Sequence, residues 1–410
     1  MYVYKMEISF CTVSRWQTFK LRTHLTLFIV VVVGFLTNVH GQTYERYKLL
    51  FDTTLRSTNL EYNKKLSVAV PFEYQKDIDF KFPLIIVFDL HLERMQGYTL
   101  QTIDYLTSTL SMPPSIIISV ASGEGINRKH ETNFAISDPQ ALGAQNEKFI
   151  FDELIPFAEQ QLNTSGFRLL IGHSRYGYYT TYLLSERLTE LNAVISMSPF
   201  FVQKNVNLVD SLVSRLQTVS FPHHVYYRFA IGNDYPDDFA SMKSAISKGQ
   251  LKNEQINIKG ALFEQAFHNG TPGLLIAEAL YDIFEYWAKN QNEYFPYGKD
   301  NISILPQLQD SIYAHYGTYL PFSMTAMNGK GWEFFGEKNY AKAIAIWKVL
   351  LKQYPNLAEF YLYIASAQKE MNQTYDDTLD KFLKNLKVSK VYSDNEKAEL
   401  LQELEKLKNE

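Results

Sequence analysis

A serine at a tight turn is the residue of this sequence best suited to covalent chemistry. Ser174 follows the pair Gly172-His173, which ends an apolar segment at 167–171, and precedes a segment of helical periodicity at 178–188. A serine on a sharp strand-to-helix turn projects its hydroxyl group above the carboxyl edge of a sheet. The helix behind it offers free backbone N–H groups to a developing oxyanion. Ser174 is therefore the predicted nucleophile of an acyl-transfer reaction.

His268 is the predicted general base. A serine hydroxyl group is a poor nucleophile at neutral pH unless a base takes its proton. Where the nucleophile occupies such a turn, the chain order is serine, acid, histidine. His268 lies in a loop just before a predicted helix at 273–287, where the base belongs. Three other histidines follow Ser174, but they lie at the wrong end of a strand or beyond that helix: His223, His224 and His315.

The acid is expected directly after the penultimate strand. Asp234 follows the apolar segment 225–231 by two residues, and Asp237 and Asp238 lie close enough to compete for the role. Aspartate is also favoured in turns and at helix N-termini for purely structural reasons. We take Asp234 as the first choice, because it would hold the tautomer of His268 and stabilise its charged form.

Two backbone amides are predicted to form the oxyanion hole. One belongs to Arg175, which follows the nucleophile, and the other to Leu90 or His91 after the apolar segment 84–88. The turn departs from the usual Gly-x-Ser-x-Gly pattern, because Tyr176 occupies the last position and glycine follows one residue later. A tyrosine there would crowd the adjacent strand unless its neighbour is small.

The elements around these residues predict an α/β-hydrolase fold with a mainly parallel central sheet. Short apolar runs read as strands, and continuous runs are typical of strands buried on both faces. They alternate with helical patterns over about 250 residues, as in a single α/β domain. The predicted strands are residues 47–51, 65–70, 84–88, 115–120, 167–171, 193–197 and 225–231.

The chain divides into four predicted segments. Residues 1–41 read as a signal peptide, 42–288 as the hydrolase domain, 289–321 as a connector, and 322–410 as a small all-α region. The spacing of six residues in the last segment is typical of a tetratricopeptide repeat: Gly331, Phe334, Tyr340, Ala343, Trp347 and Pro355. One and a half repeats cannot bury a core alone. This region is therefore expected to pack on the hydrolase domain, to bind a protein partner or to support self-association.

The amino-terminal segment predicts export to the periplasm or secretion. Cationic residues at 20–24 precede an apolar run at 25–36 and a small-residue exit at Gly41, the order found in secretory signals. The run is shorter than the roughly 20 residues that cross a bilayer, although a retained membrane anchor is the alternative. Cys11, the sole cysteine, lies within this leader, so the mature chain has no thiol for a disulfide or a metal site.

Composition excludes several classes of function. The formal net charge is −4 and the pI about 6.2, which gives no electrostatic basis for binding nucleic acid. The 46% hydrophobic content supports a large packed core. No zinc-protease motif, phosphate-binding glycine loop or dinucleotide fingerprint occurs, so no metal or cofactor is predicted.

From about Tyr47 to Trp287 the sequence resembles the esterase D-like, or putative esterase, family of α/β-hydrolases. That family includes siderophore esterases, feruloyl and acetylxylan esterases, and S-formylglutathione hydrolases. The resemblance implies ester hydrolysis through an acyl-enzyme at Ser174. It is carried by the segments 67–74, 82–89, Asn127-Arg128, 153–157, Gly172-His173-Ser174 and Ser198-Pro199.

These observations predict an exported serine esterase that acts on a small-molecule or glycan ester through Ser174, His268 and Asp234. An acyltransferase with the same triad is one alternative, since a sugar or lipid acceptor can replace water. A hydrolase fold that has lost activity and serves as a binding or scaffold protein is another. Specificity in this fold lies in loops such as residues 200–220.

Overall fold

A computed structural model describes residues 44–76, 80–135, 138–203, 206–294 and 302–409. The predicted signal peptide at 1–41 lies outside these residues, so export stays a sequence-based prediction. None of the helices in the described part combines the length and the apolar character needed to cross a membrane.

Eight strands form one sheet in the order β1-β2-β4-β3-β5-β6-β9-β10. The six strands from β4 to β10 are parallel, and β1 and β2 add an antiparallel edge beside β4. A short hairpin, β7 with β8, stands apart. The strands are β1 Tyr47–Arg56, β2 Asn63–Pro71, β3 Phe82–Phe88, β4 Ile116–Val120, β5 Thr164–His173, β6 Ala193–Met197, β7 Val202–Gln203, β8 Val206–Asn207, β9 Val225–Ile231 and β10 Ile256–Leu262.

The helices of the α/β part cover this sheet. Every residue of the central strands β3 and β9 is buried, which requires cover on both faces, as their continuous apolar sequences predicted. A six-residue π-helix at Phe149–Leu154 joins two of the helices. They are α1 Glu93–Ser108, α2 Arg128–Glu131, α3 Gly143–Lys148, α4 Ile155–Gln161, α5 Arg175–Glu186, α6 Leu208–Leu216, α7 Pro236–Ser247 and α8 Thr271–Tyr294.

The predicted α/β-hydrolase architecture is confirmed, and the structure adds a strand, a longer closing helix and a helix in the connector. Strand β10 was not predicted, because its exposed edge position leaves only Ile256 fully buried and a glycine interrupts its apolar pattern. Helix α8 is longer than the predicted 273–287 and extends into the predicted connector. The connector also contains a helix, α9 at Leu305–Tyr316, which ends at Gly317 in the left-handed conformation.

The C-terminal region is entirely helical and packs on the α/β part. The ring of Tyr354 lies 5.2 Å from that of Phe80, and the Trp287 indole N–H donates to the Pro321 carbonyl group at 2.9 Å. One continuous apolar core therefore extends from the sheet into α10, α11 and α12. The helices are α10 Met324–Gly336, α11 Tyr340–Gln353, α12 Glu359–Glu370, α13 Asp376–Val388 and α14 Asp394–Asn409.

Candidate active site

Ser174 occupies the one-residue turn between β5, which ends at His173, and α5, which begins at Arg175. Its backbone angles are φ 58° and ψ −115°, a conformation that costs energy for any residue with a side chain. The turn is held from both sides, because the Ser174 N–H donates to the Met197 carbonyl group and Tyr178 donates back to the Ser174 carbonyl group. Such stored strain is typical of a functional turn.

Glycines at two positions permit this tight turn. A Cβ atom on Gly172 would lie 2.3 Å from the carbonyl oxygen of Tyr176, and one on Gly177 would lie 2.9 Å from that of Met197. Real carbon–oxygen contacts are not that short. The close approach of α5 to β6 therefore occurs at Gly177, one residue later than the common pattern places its glycine.

Tyr176 lies beneath the turn and not against β6. Its fully buried ring stacks on Phe88 of β3 with 4.6 Å between centroids and 7° between planes. Its hydroxyl group donates to Glu131 at 2.6 Å, and Tyr62 and Lys64 donate to the same carboxylate. Burial alone would raise the pKa of Glu131, but Lys64 and these hydrogen bonds lower it. The departure from the common motif is thus accommodated by a buried hydrogen-bonded network.

His268 and Asp234 form a hydrogen bond. The His268 Nδ1 atom lies 2.5 Å from Asp234 Oδ2, so the N–H of Nδ1 donates and leaves Nε2 free to accept a proton. The rival Asp238 instead accepts the backbone N–H groups of Phe201 and Val202. Asp237 lies in the exposed first turn of α7. Of the three aspartates considered from the sequence, Asp234 is the one bonded to the histidine.

The backbone of His268 is anchored to the turn that carries Ser174. Its carbonyl oxygen accepts hydrogen bonds from His173 Nε2 at 3.0 Å, from Thr271 at 3.1 Å and from Ser198 at 3.3 Å. A carbonyl group only accepts, so Nε2 of His173 carries the proton. Burial is the main reason that the pKa of His173 falls to about 4, and its ring is therefore neutral at physiological pH.

Sequence reasoning missed this role of His173. In the sequence His173 counts only as a member of the Gly-His-Ser motif, although its position directly before the predicted nucleophile is a usable signal. Ser198 belongs to the Ser-Pro pair that resembles the family's motif. In the structure its hydroxyl group helps to hold the carbonyl oxygen of His268. Ser198 lies in the left-handed region at φ 42°, and its hydroxyl oxygen lies 2.9 Å from that of Thr271.

The predicted oxyanion donor Leu90 needs correction. Its N–H group donates to the Val120 carbonyl oxygen at 3.0 Å, which extends the pairing of β3 with β4 beyond Phe88. In the part of the chain that the structure describes, the amides of His91 and Arg175 have no such acceptor. Both candidates follow the carboxyl end of a parallel strand, so His91 replaces Leu90 as the second candidate donor.

Arg128 bridges the carboxyl ends of strands β3 and β5. Its guanidinium group donates to Asp89 Oδ2 at 2.7 Å and to the His173 carbonyl oxygen at 2.8 Å. Asp89 is the residue before Leu90 and has φ 64°. Burial raises the pKa of Asp89 to about 7, while Arg128 opposes the rise. The contact fixes the turn of Ser174 relative to the loop that carries His91.

A cleft of about 640 Å³ opens beside the histidine loop, between the start of α1 and the start of α8. Its lining includes His91, Arg94, Tyr98, His173 and Asn269. Its volume suits a small organic ligand. Among the described residues, no group of three or more histidines, cysteines or carboxylates is arranged to hold a metal ion.

Comparison with known proteins agrees with the α/β fold. The family model described as putative esterase matches residues 57–271. An IroE-like serine hydrolase from Shewanella oneidensis is similar in structure, with 16% identity and a TM-score of 0.59 over 71% of this chain and 95% of that one. An uncharacterised protein from Capnocytophaga ochracea matches 88% of this chain and 100% of its own, with 14% identity and a TM-score of 0.53. No curated protein gave a match.

Proposed function

The chain belongs to the putative-esterase family of α/β-hydrolases, and from this premise we propose that it cleaves a carboxylic ester through an acyl-enzyme at Ser174. The observation that carries the proposal is the hydrogen bond between His268 Nδ1 and Asp234 Oδ2, on a loop anchored to the nucleophile's turn. This arrangement leaves the other ring nitrogen of His268 available as a base.

Acylation follows from the roles of these groups. Nε2 of His268 takes the proton of the Ser174 hydroxyl group as the oxygen attacks the ester carbonyl carbon. The negative charge that develops on the carbonyl oxygen is held by the N–H groups of Arg175 and His91. His268 then gives the proton to the departing alcohol, and the acyl group stays on Ser174.

Deacylation repeats the sequence with water. His268 takes a proton from water, the hydroxide attacks the acyl carbon, and Ser174 leaves with the proton. Asp234 stabilises the positive charge on the ring in both half-reactions. His173 supports the reaction only by position, since its neutral ring holds the carbonyl oxygen of His268.

A serine-directed probe tests the proposal. The chain from residue 42 is treated with a fluorophosphonate and assayed with 4-nitrophenyl acetate, beside Ser174→Ala and the control Ser247→Ala, which removes an exposed hydroxyl group at the end of α7. We expect labelling and turnover in the wild type and the control, and neither in Ser174→Ala. A folded wild-type sample that does not react would favour a binding or scaffold role and contradict the proposal.

A further inference from the structure

Arg175 places a cation beside the candidate nucleophile. Its guanidinium carbon lies 5.6 Å from the ring centroid of Phe200. The ring of Tyr178 stacks on that of Phe200 with 4.6 Å between centroids. The ring of Tyr235 packs edge-on against Phe200 with 5.8 Å between centroids. Tyr235 also contacts the ring of His268, again edge-on at 5.8 Å. The cation and the candidate base therefore border one aromatic surface, formed by Phe200, Tyr178 and Tyr235.

No acidic group of the described residues pairs with this cation. Its NH1 atom is buried without a hydrogen-bond partner. Burial lowers the pKa of the guanidinium group, and the positive charge of Arg128 lowers it further. Arg128 itself has Asp89 as a partner at 2.7 Å. Of these two neighbouring cations, one is neutralised within the chain and the other is not.

Arg175 is half-buried, and its buried NH1 atom is unfavourable without a hydrogen-bond partner unless a ligand supplies one. A structural arginine normally extends its charged end into water or pairs with a carboxylate. The planar guanidinium fork instead matches a carboxylate with two parallel hydrogen bonds. The partly exposed rings of Phe200 and Tyr235 can pack against the apolar part of the same ligand, while Tyr178 is buried behind Phe200.

We infer that the substrate is an ester that carries a carboxylate or a similar anionic group, and that Arg175 binds this group over Phe200. The inference rests on the proposed function and adds a substrate class to it. The side chain of Arg175 would then determine specificity, while its backbone N–H serves the oxyanion. The anion could belong to the acyl part or to the alcohol part of the ester, and two pairs of substrates separate these cases.

The test compares anionic esters with neutral esters of matched shape. Monoethyl adipate and ethyl hexanoate place or omit the charge on the acyl part, and 4-acetoxybenzoate and 4-acetoxybenzamide do so on the alcohol part. In at least one pair, the anionic-to-neutral ratio of kcat/KM should fall 10- to 100-fold in Arg175→Gln. The loss should appear mainly as a higher KM, and Arg175→Lys should retain part of the preference. The neutral ester of each pair corrects for any disturbance of the turn.

Lys243→Gln is the matched control, because it removes another cation that lies over a phenylalanine, Phe239, at 6.0 Å. Its selectivity ratio should equal that of the wild type. A wild-type enzyme that hydrolyses both members of each pair equally, or a ratio unchanged in Arg175→Gln, would overturn the inference and leave the proposed function standing. A folded wild type that neither cleaves any of the four esters nor reacts with a fluorophosphonate would overturn both.

Discussion

At the scale of single residues, the site depends on which hydrogen bond each polar group already makes. Asp234 differs from Asp238 because one carboxylate faces His268 and the other accepts two backbone N–H groups of the loop after β6. Leu90 differs from His91 because the pairing of β3 with β4 consumes the first amide. Two neighbouring carboxylates, or two neighbouring backbone amides, thus differ in what they can still bind because of the partners they already have.

Asp234→Asn tests the assignment of the acid. An amide in place of the carboxylate favours the wrong tautomer of His268 and no longer stabilises its charged form. The kcat for 4-nitrophenyl acetate should therefore fall by about 10³- to 10⁴-fold. Asp237→Asn removes the same charge from an exposed position three residues away and should lower kcat less than threefold. Equal losses in the two variants would show that the acid is misassigned.

At the scale of elements, the turn between β5 and α5 shows how a departure from a motif is absorbed. Glycine at 177 lets α5 approach β6, so Tyr176 is free to pack under β3. Its hydroxyl group then completes the network around Glu131 and Lys64, two side chains that are fully buried and 2.7 Å apart. The buried carboxylate of Glu131 depends on each of its hydrogen-bond donors, because an unpaired buried charge is strongly destabilising.

Restoring the common glycine should therefore harm the protein. Tyr176→Gly removes the stack on Phe88 and leaves a large cavity, and we expect the free energy of unfolding to fall by about 4 kcal/mol or more. Tyr176→Phe keeps the ring but loses one hydrogen bond to Glu131, which should cost about 1–2 kcal/mol. Urea unfolding measures both. A glycine variant as stable as the wild type would show that the packing of Tyr176 does not support the turn.

At the scale of the whole molecule, the C-terminal helices and the α/β part share one core. Phe334, Trp347 and Phe360 belong to the same continuous apolar cluster as the strands. Helices α13 and α14 add a second, smaller cluster around Leu362 and Phe382. A disturbance in these helices should therefore appear in the unfolding of the whole chain.

The ionisation of Glu359, at the start of α12, is such a disturbance. Burial, together with the charges of Glu396 and Glu403 on α14, raises its pKa to about 7. The folded state thus binds the proton more tightly than the unfolded chain does. Stability contributed by the neutral form is present below about pH 4.5 and is lost as the pH rises through about 7.

Glu359→Gln should remove this pH dependence. Relative to the wild type, its Tm should be nearly unchanged at pH 5 and higher by several degrees at pH 8, corresponding to at most about 3 kcal/mol. Glu405→Gln, which removes an exposed carboxylate from α14, is the control and should change Tm at neither pH. A Tm gain that is the same at both pH values would contradict the burial of an ionised Glu359.

The sequence by itself determined the parts of this protein that depend on neighbours along the chain. Apolar runs predicted the buried parallel strands. The serine that follows Gly172-His173, between a strand and a helix, predicted the tight turn at Ser174. Chain order narrowed the base to His268. The predictions of the strands and of the turn succeed because strand burial and turn geometry depend on consecutive residues, whereas the role of His268 as the base stays a prediction.

Only the tertiary structure decided which groups at the strand ends are already engaged. The bond from Asp234 to His268, the loss of Leu90 as a donor and the anchoring role of His173 depend on residues 30 to 95 positions apart. The same holds for Tyr176, whose space is set by Phe88 and Glu131, and for Arg175, whose lack of a partner is a property of its surroundings. Hydrogen bonding and burial at such separations leave no periodic trace in the sequence, so they become visible only once the chain is folded.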